Sequence, residues 1–171
     1  MDITDVILHQ HAEQRRMFAM LDEVPRDDTE ALGAIWKRLE ILLETHAEAE
    51  ERYFYPRLLQ VGKGAADADD ADEEVEDAVK DHNEIREAIR EVGGRDVGSD
   101  GWWRAVIHCR VANSDHMAEE ERQDLADFRQ QIGLQERHDI AVRFLRFESL
   151  KAATGVAPED KDPEKYIEEN G

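Results

Sequence analysis

The chain is short of cysteine, of positive charge and of uninterrupted apolar runs, and each shortage removes a class of answers. Cys109 stands alone, so no internal disulfide can form and a reducing cytoplasm is the expected home. Charges interrupt every apolar stretch well before the ~18 residues a membrane-spanning helix requires, and the opening MDITDVILHQH has no basic segment followed by an apolar run. Lys and Arg together number 22 against 42 Asp and Glu, a formal charge of −20 that repels phosphate backbones and anionic membrane leaflets. Neither nucleic acid nor membrane is therefore an expected partner, and the charge needs no meaning beyond solubility. There is no Gly-rich phosphate loop, and no apolar–polar alternation persists long enough to make a strand.

What the chain does have is helical periodicity. Ile7, His11, Phe18 and Leu21 share one face of residues 3–22, with Asp2 or Thr4 as N-cap and Pro25 closing the segment. Asp27 with Glu30 resembles a capping box, and Leu32, Trp36, Leu39 and Leu43 then predict a second helix over about 28–60, kinked near Pro56. Residues 61–72, VGKGAADADDAD, read as a solvated loop. A third helix is expected from Glu73 to the Gly93–Gly94 pair, with Val75, Val79, His82, Ile85 and Ile89 on its stripe. The fourth follows Ser99 and runs close to Gly133, with Val106, Cys109, Asn113, His116, Glu120 and Gln123 on one face. A fifth segment, 134–153, shows Leu134, Ile140, Phe144, Leu145 and Phe147 on a partly apolar face; the tail after Gly155 is polar and carries Pro158 and Pro163. The expected fold is all-α, an up-down-up-down four-helix bundle over residues 1–132 with an additional C-terminal helix and polar tail, 133–171, packed on it.

Each of the four bundle helices places one histidine on its apolar stripe: His11, His46, His82 and His116. Antiparallel helices bring mid-stripe positions to a common depth, and four imidazoles meeting there without a metal would be hard to satisfy with hydrogen bonds. Glu50 lies one turn past His46, roughly 40° round the helix, and Glu120 stands in the same relation to His116. A carboxylate on a core stripe is costly unless it meets a cation. Imidazole with carboxylate suits iron, manganese or zinc, and the lack of thiolate leans towards non-haem iron. Tyr53, seven past His46, lies about 20° off the same stripe and is a further candidate: an iron ligand, a hydrogen-bond donor to the site or a core aromatic. Glu48, Glu51 and Glu121 lie well off the stripes and read as solvated, with Glu119 closer in. His9, His108 and His138 read as surface or packing histidines, and Cys109 as a small buried hydrophobe.

The ordered pattern H, HxxxE, H, HxxxE formed by His11, His46 with Glu50, His82, and His116 with Glu120 resembles that of the hemerythrin-like, or HHE cation-binding, proteins. The likeness covers roughly residues 3–130 and includes EERYFYPRL, similar to the family's acidic-aromatic-proline run. It implies two iron ions in an oxo- or hydroxo-bridged di-iron centre, with Glu50 and Glu120 as bridging carboxylates and the four histidines as terminal ligands. The oxygen-carrying members have a fifth histidine one turn before the third-helix ligand, where this chain has Ala78. Counting ligands leaves about two coordination positions open. The resemblance therefore implies a centre that binds and reacts with small oxidants, namely hydrogen peroxide, nitric oxide or dioxygen. Peroxidase- or catalase-like turnover or nitric oxide reduction fits it better than reversible carriage. The alternatives are a dioxygen or nitric oxide sensor or store without turnover, and a metal-free structural bundle. A ferritin-like iron oxidase calls for ExxH pairs, which do not match the HxxxE spacing. A monomer is the favoured state.

Overall fold

The computed structural model describes residues 1–66, 68 and 70–171, and among them there are helices and no strand. Four long helices form the bundle: α1 (Ile3–Glu23), α2 (Thr29–Tyr53), α4 (Ala71–Gly93) and α5 (Asp100–Arg122). Each begins where a short polar side chain takes an N–H that the first turn cannot satisfy internally. Asp2 accepts from Thr4, Asp28 from Ala31, Asp70 from Glu73 and Ser99 from Trp102. The cap of α2 is therefore Asp28, not Asp27. Asp72, Glu73 and Glu74 in the first turn of α4 also suit the positive end of its dipole.

Two helices expected to be continuous are broken. The second stops at Phe54, and Pro56 falls in the first turn of the short α3 (Tyr55–Val61). A proline ring collides with the carbonyl four residues upstream but is tolerated in a first turn, so the chain restarts rather than kinks. The fourth stops at Gln123, whose φ of −105° and ψ of −81° leave the helical basin, and resumes as α6 (Asp124–Gln131). Neither glycine nor proline marks that second break. Both breaks fall just beyond a carboxylate of an HxxxE turn, Glu50 or Glu120. Tyr55 and Asp124, the first residues after them, are buried.

The chain from Leu134 onward covers the bundle. Helix α7 (Leu134–Lys151) lies against α1 and α2, burying Ile140, Ala141 and Phe144, while Leu134, expected on that face, is 61 % exposed at its start. The polar tail contains α8 (Pro163–Asn170), which packs on α4 and α3 through buried Tyr166. The described part of the 61–72 segment is likewise tied down: Lys63 and Gly64 donate backbone N–H groups to Asp127 Oδ2, and Ala65 donates to Glu74 Oε1.

Apolar side chains separate into two clusters. One, built around Ile7, Phe54, Val79, Phe128 and Phe144, fills one end of the bundle; the other, around Leu21, Trp36, Ile89, Trp102 and Val106, fills the other. Along α1, α2 and α4 the histidine falls between the residues of the first cluster and those of the second, and His116 falls between the second-cluster residues of α5 and the first-cluster residues Leu125 and Phe128 of α6. The bundle thus has an apolar top and bottom and a polar waist. No helix of the described residues is long and apolar enough to cross a membrane.

Candidate metal centre

The waist gathers six side chains from four helices, all at 3 % exposure or less: His11, His46, Glu50, His82, His116 and Glu120. His11, His46, Glu50 and Glu120 bring one ligand atom each within 4.8 Å of one another, and Glu50, His82 and His116 do the same. Glu50 belongs to both groups. Its Oε1 lies 2.9 Å from His46 Nε2 and its Oε2 3.3 Å from His82 Nε2, so one carboxylate faces two half-sites with one oxygen each. Glu120 Oε2 is 3.1 Å from His11 Nε2. His82 Nε2 and His116 Nε2 stand 3.1 Å apart, with the rings edge to face and centroids 4.6 Å apart.

The outer ring nitrogens are all engaged by oxygen. His11 Nδ1 is 2.9 Å from Glu121 Oε1, His46 Nδ1 2.5 Å from Gln10 Oε1, and His82 Nδ1 2.9 Å from Glu51 Oε1; His116 Nδ1 is 3.5 Å from Asp81 Oδ2. An oxygen acceptor keeps the proton of a neutral imidazole on Nδ1 and leaves the Nε2 lone pair turned inward, the arrangement by which metal-binding histidines are oriented. His82 Nε2 and His116 Nε2 face each other, and the other inward atoms have no hydrogen-bond partner: His11 Nε2, His46 Nε2, both oxygens of Glu50 and Oε2 of Glu120. Buried polar atoms are rarely left so, and a cation would satisfy all five at once. The residues present fit a metal.

The electrostatics agree. Burial drives the His46 imidazole well below its usual range, helped by the charge of His11, and takes His82 down to about 4 despite the pull of Glu51. At His11 burial is outweighed by Glu120 and Glu121, and the value rises. Burial and the neighbouring Glu120 push the Glu50 carboxyl well above the carboxylate range, while the adjoining His11 imidazole outweighs burial and holds Glu120 down to about 2. Without a cation the two carboxylates cannot both be charged cheaply, so one keeps a proton.

Tyr53 is not brought to this cluster. Its ring, half-buried, packs against Phe147 of α7 with centroids 5.9 Å apart, because α7 covers the strip of α2 beyond Glu50. The phenol that reaches the waist is Tyr55, whose hydroxyl donates to Glu120 Oε1 at 3.1 Å. Burial, and then the nearby Glu120 and Glu50, push that phenol well above its usual value, so it stays protonated.

The sequence profile of the hemerythrin HHE cation-binding domain matches residues 2–127. The chain belongs to this hemerythrin HHE family. Neither a curated protein nor a solved structure matches it. A hemerythrin HHE domain is a cation-binding helical bundle, and the six waist residues all lie inside the matched stretch. Helix α7 and the tail lie beyond it.

Several residues around this hemerythrin site escape a helical-wheel reading. Glu51 and Glu121 are off the ligand stripes, yet Glu51 is fully buried beneath α8 and the tail and supports His82, and Glu121 supports His11. Glu48 is also buried, whereas Glu119 is exposed. Gln10 adjoins His11 in sequence but serves His46, and its Nε2 donates to Glu148 of α7. Only the requirement that every ligating imidazole have an outer acceptor would have pointed to them. Cys109 sits in the apolar cluster around Trp36 and Trp102, its thiol pushed up to about 12 by burial, and His9 and His108 are exposed.

Proposed function

We propose that the waist holds two iron ions and that the centre binds and reacts with small oxidants, hydrogen peroxide or nitric oxide before dioxygen. His11, His46 and Glu120 would serve one ion, His82 and His116 the other, with Glu50 between them. The observation that carries this reading is the single carboxylate of Glu50 presenting an unpartnered oxygen to each half-site. Imidazole and carboxylate without thiolate is a donor set for iron in redox use, and iron there supplies one-electron and oxidant chemistry that no side chain in the waist can supply.

The chain's own contribution is placement and exclusion of water. Apolar clusters close the waist from both ends. Ala78, buried one turn before His82, offers no ligand, so the set is leaner than that of an oxygen carrier. Tyr55 keeps its proton on Glu120 Oε1 and so holds that carboxylate in place inside the closed site. On the outer side, His46 Nδ1, Gln10 and Glu148 form a hydrogen-bonded path to a cavity of about 290 Å³ between α1, α2 and α7. Burial raises Glu148 to about 7, a value at which a carboxyl can both take and release protons.

The test is rapid mixing of the iron-loaded protein with hydrogen peroxide and, separately, with nitric oxide. Consumption of many equivalents per chain supports a reactive centre. A single equivalent retained in a stable, reversible form would overturn turnover and leave a store or sensor.

A further inference from the structure

The polar contacts behind His82 lead out of the family domain and into the tail. Glu51 holds His82 Nδ1 with its Oε1, which also accepts from Arg86 Nη2 at 2.7 Å. Its other oxygen, Oε2, is paired with the ammonium of Lys161, which also lies 3.1 Å from Glu48 Oε2. The Glu51 side chain is fully buried, whereas that of Lys161 keeps 26 % exposure at the edge of a cleft between α2 and the tail.

Lys161 lies on no helix; it sits in the extended run before α8, beyond the matched residues. Its backbone is nonetheless fixed from both sides by Asn83, the neighbour of His82. Asn83 Nδ2 donates to the Lys161 carbonyl at 2.7 Å, and the Lys161 N–H donates to Asn83 Oδ1 at 3.0 Å. Asp160 pairs with Arg90, and the Tyr166 hydroxyl donates to the Glu51 carbonyl. Together with the Lys161 ammonium, these polar attachments hold this strap across α2 and α4 at the level of one ligand.

We infer that Lys161 is a positioning residue for the metal centre: by pinning Glu51 Oε2 it keeps Oε1 on His82 Nδ1–H, and so keeps His82 Nε2 aimed at Glu50 and His116. The inference rests on the metal-centre reading above. The mechanism is geometric. A carboxylate held at both oxygens cannot turn about its own axis, and the ring it supports cannot swing. Without the ammonium, Oε2 is left buried and unpaired beside an open cleft; Arg86 still holds Oε1, and the carboxylate pivots about that one contact to bring Oε2 towards water, withdrawing Oε1 from the imidazole. The effect is confined to the half-site of His82 and His116, because His11 and His46 take their outer acceptors from Glu121 and Gln10.

The experiment is a cobalt(II) titration of the full chain, followed by the visible bands of the bound ion, in the wild type, Lys161→Met and Lys161→Arg. Two binding events are expected in the wild type. Lys161→Met weakens one of them about tenfold and leaves the other within about twofold, and Lys161→Arg, which keeps the charge, recovers most of the loss. Both events unchanged in Lys161→Met, or both weakened alike, would overturn the inference while leaving the metal centre standing. A wild-type chain that takes up no cobalt would instead overturn the centre itself. Circular dichroism melting of the metal-free variants separates local loosening from unfolding: Lys161→Met should melt within a few degrees of the wild type.

Discussion

Tyr53 and Tyr55 stand two residues apart and part company at Phe54. The wheel that places Tyr53 on the ligand stripe assumes an unbroken helix with nothing but the bundle around it; the restart before Pro56 turns Tyr55 inward instead, and α7 claims Tyr53. Tyr55→Phe should therefore change the visible spectrum of the metal-loaded protein and weaken the half-site of Glu120 by about tenfold, with Tyr53→Phe neutral in both. The opposite pattern in side-by-side titrations would return the role to Tyr53. A second residue-scale expectation concerns Glu74, which burial and the neighbouring Asp127 raise to about 7 and whose Oε2 has no partner. A carboxyl raised on folding stabilises fully only below its unfolded value of ~4.3, and that stability is lost as pH climbs through about 7. Glu74→Gln should thus gain thermal stability relative to the wild type between pH 5 and pH 8, read as the difference in Tm at the two ends; a difference independent of pH would show that Glu74 does not titrate there.

Among the elements, the four long helices and their histidines were legible because apolar spacing and N-cap residues are local signals: Asp2 and Ser99 cap where a short polar residue precedes a periodic run, whereas Asp70, the cap of α4, lies inside the acidic stretch that reads as loop. The break at Gln123 carries no such signal, and the role of Glu51 could not be read from α2 alone. Its face becomes interior only when a segment more than a hundred residues later lies down on it, as the bond from Tyr166 to the Glu51 carbonyl shows. Closeness between elements has its own test at Gly62, where α3 passes into the turn. A Cβ there would sit 2.7 Å from Asp127 Oδ2, 2.8 Å from Ala71 Cβ and 2.9 Å from Leu58 Cδ1. Gly62→Ala should cost about 1–3 kcal/mol in denaturant unfolding by forcing α3, α4 and α6 apart, and a change below about 0.5 kcal/mol would mean that this junction yields easily.

At the scale of the whole molecule the bundle is two apolar halves separated by a layer of charge-bearing groups, a poor arrangement for a protein without a cation. Five inward ligand atoms lack hydrogen-bond partners, and Glu50 is held protonated against its neighbours. A metal therefore adds its binding free energy to folding, and its removal should lower Tm by an amount that grows with the concentration of free metal in the loaded sample. Equal melting before and after chelation would favour a bundle in which the histidines are incidental. The most direct measurement is elemental analysis of the purified chain beside Glu50→Ala, the variant that removes the one carboxylate common to both half-sites. The account predicts about two iron ions per wild-type chain and loss of both in the variant. An iron-free wild type, or a Glu50→Ala chain with undiminished iron, would contradict it.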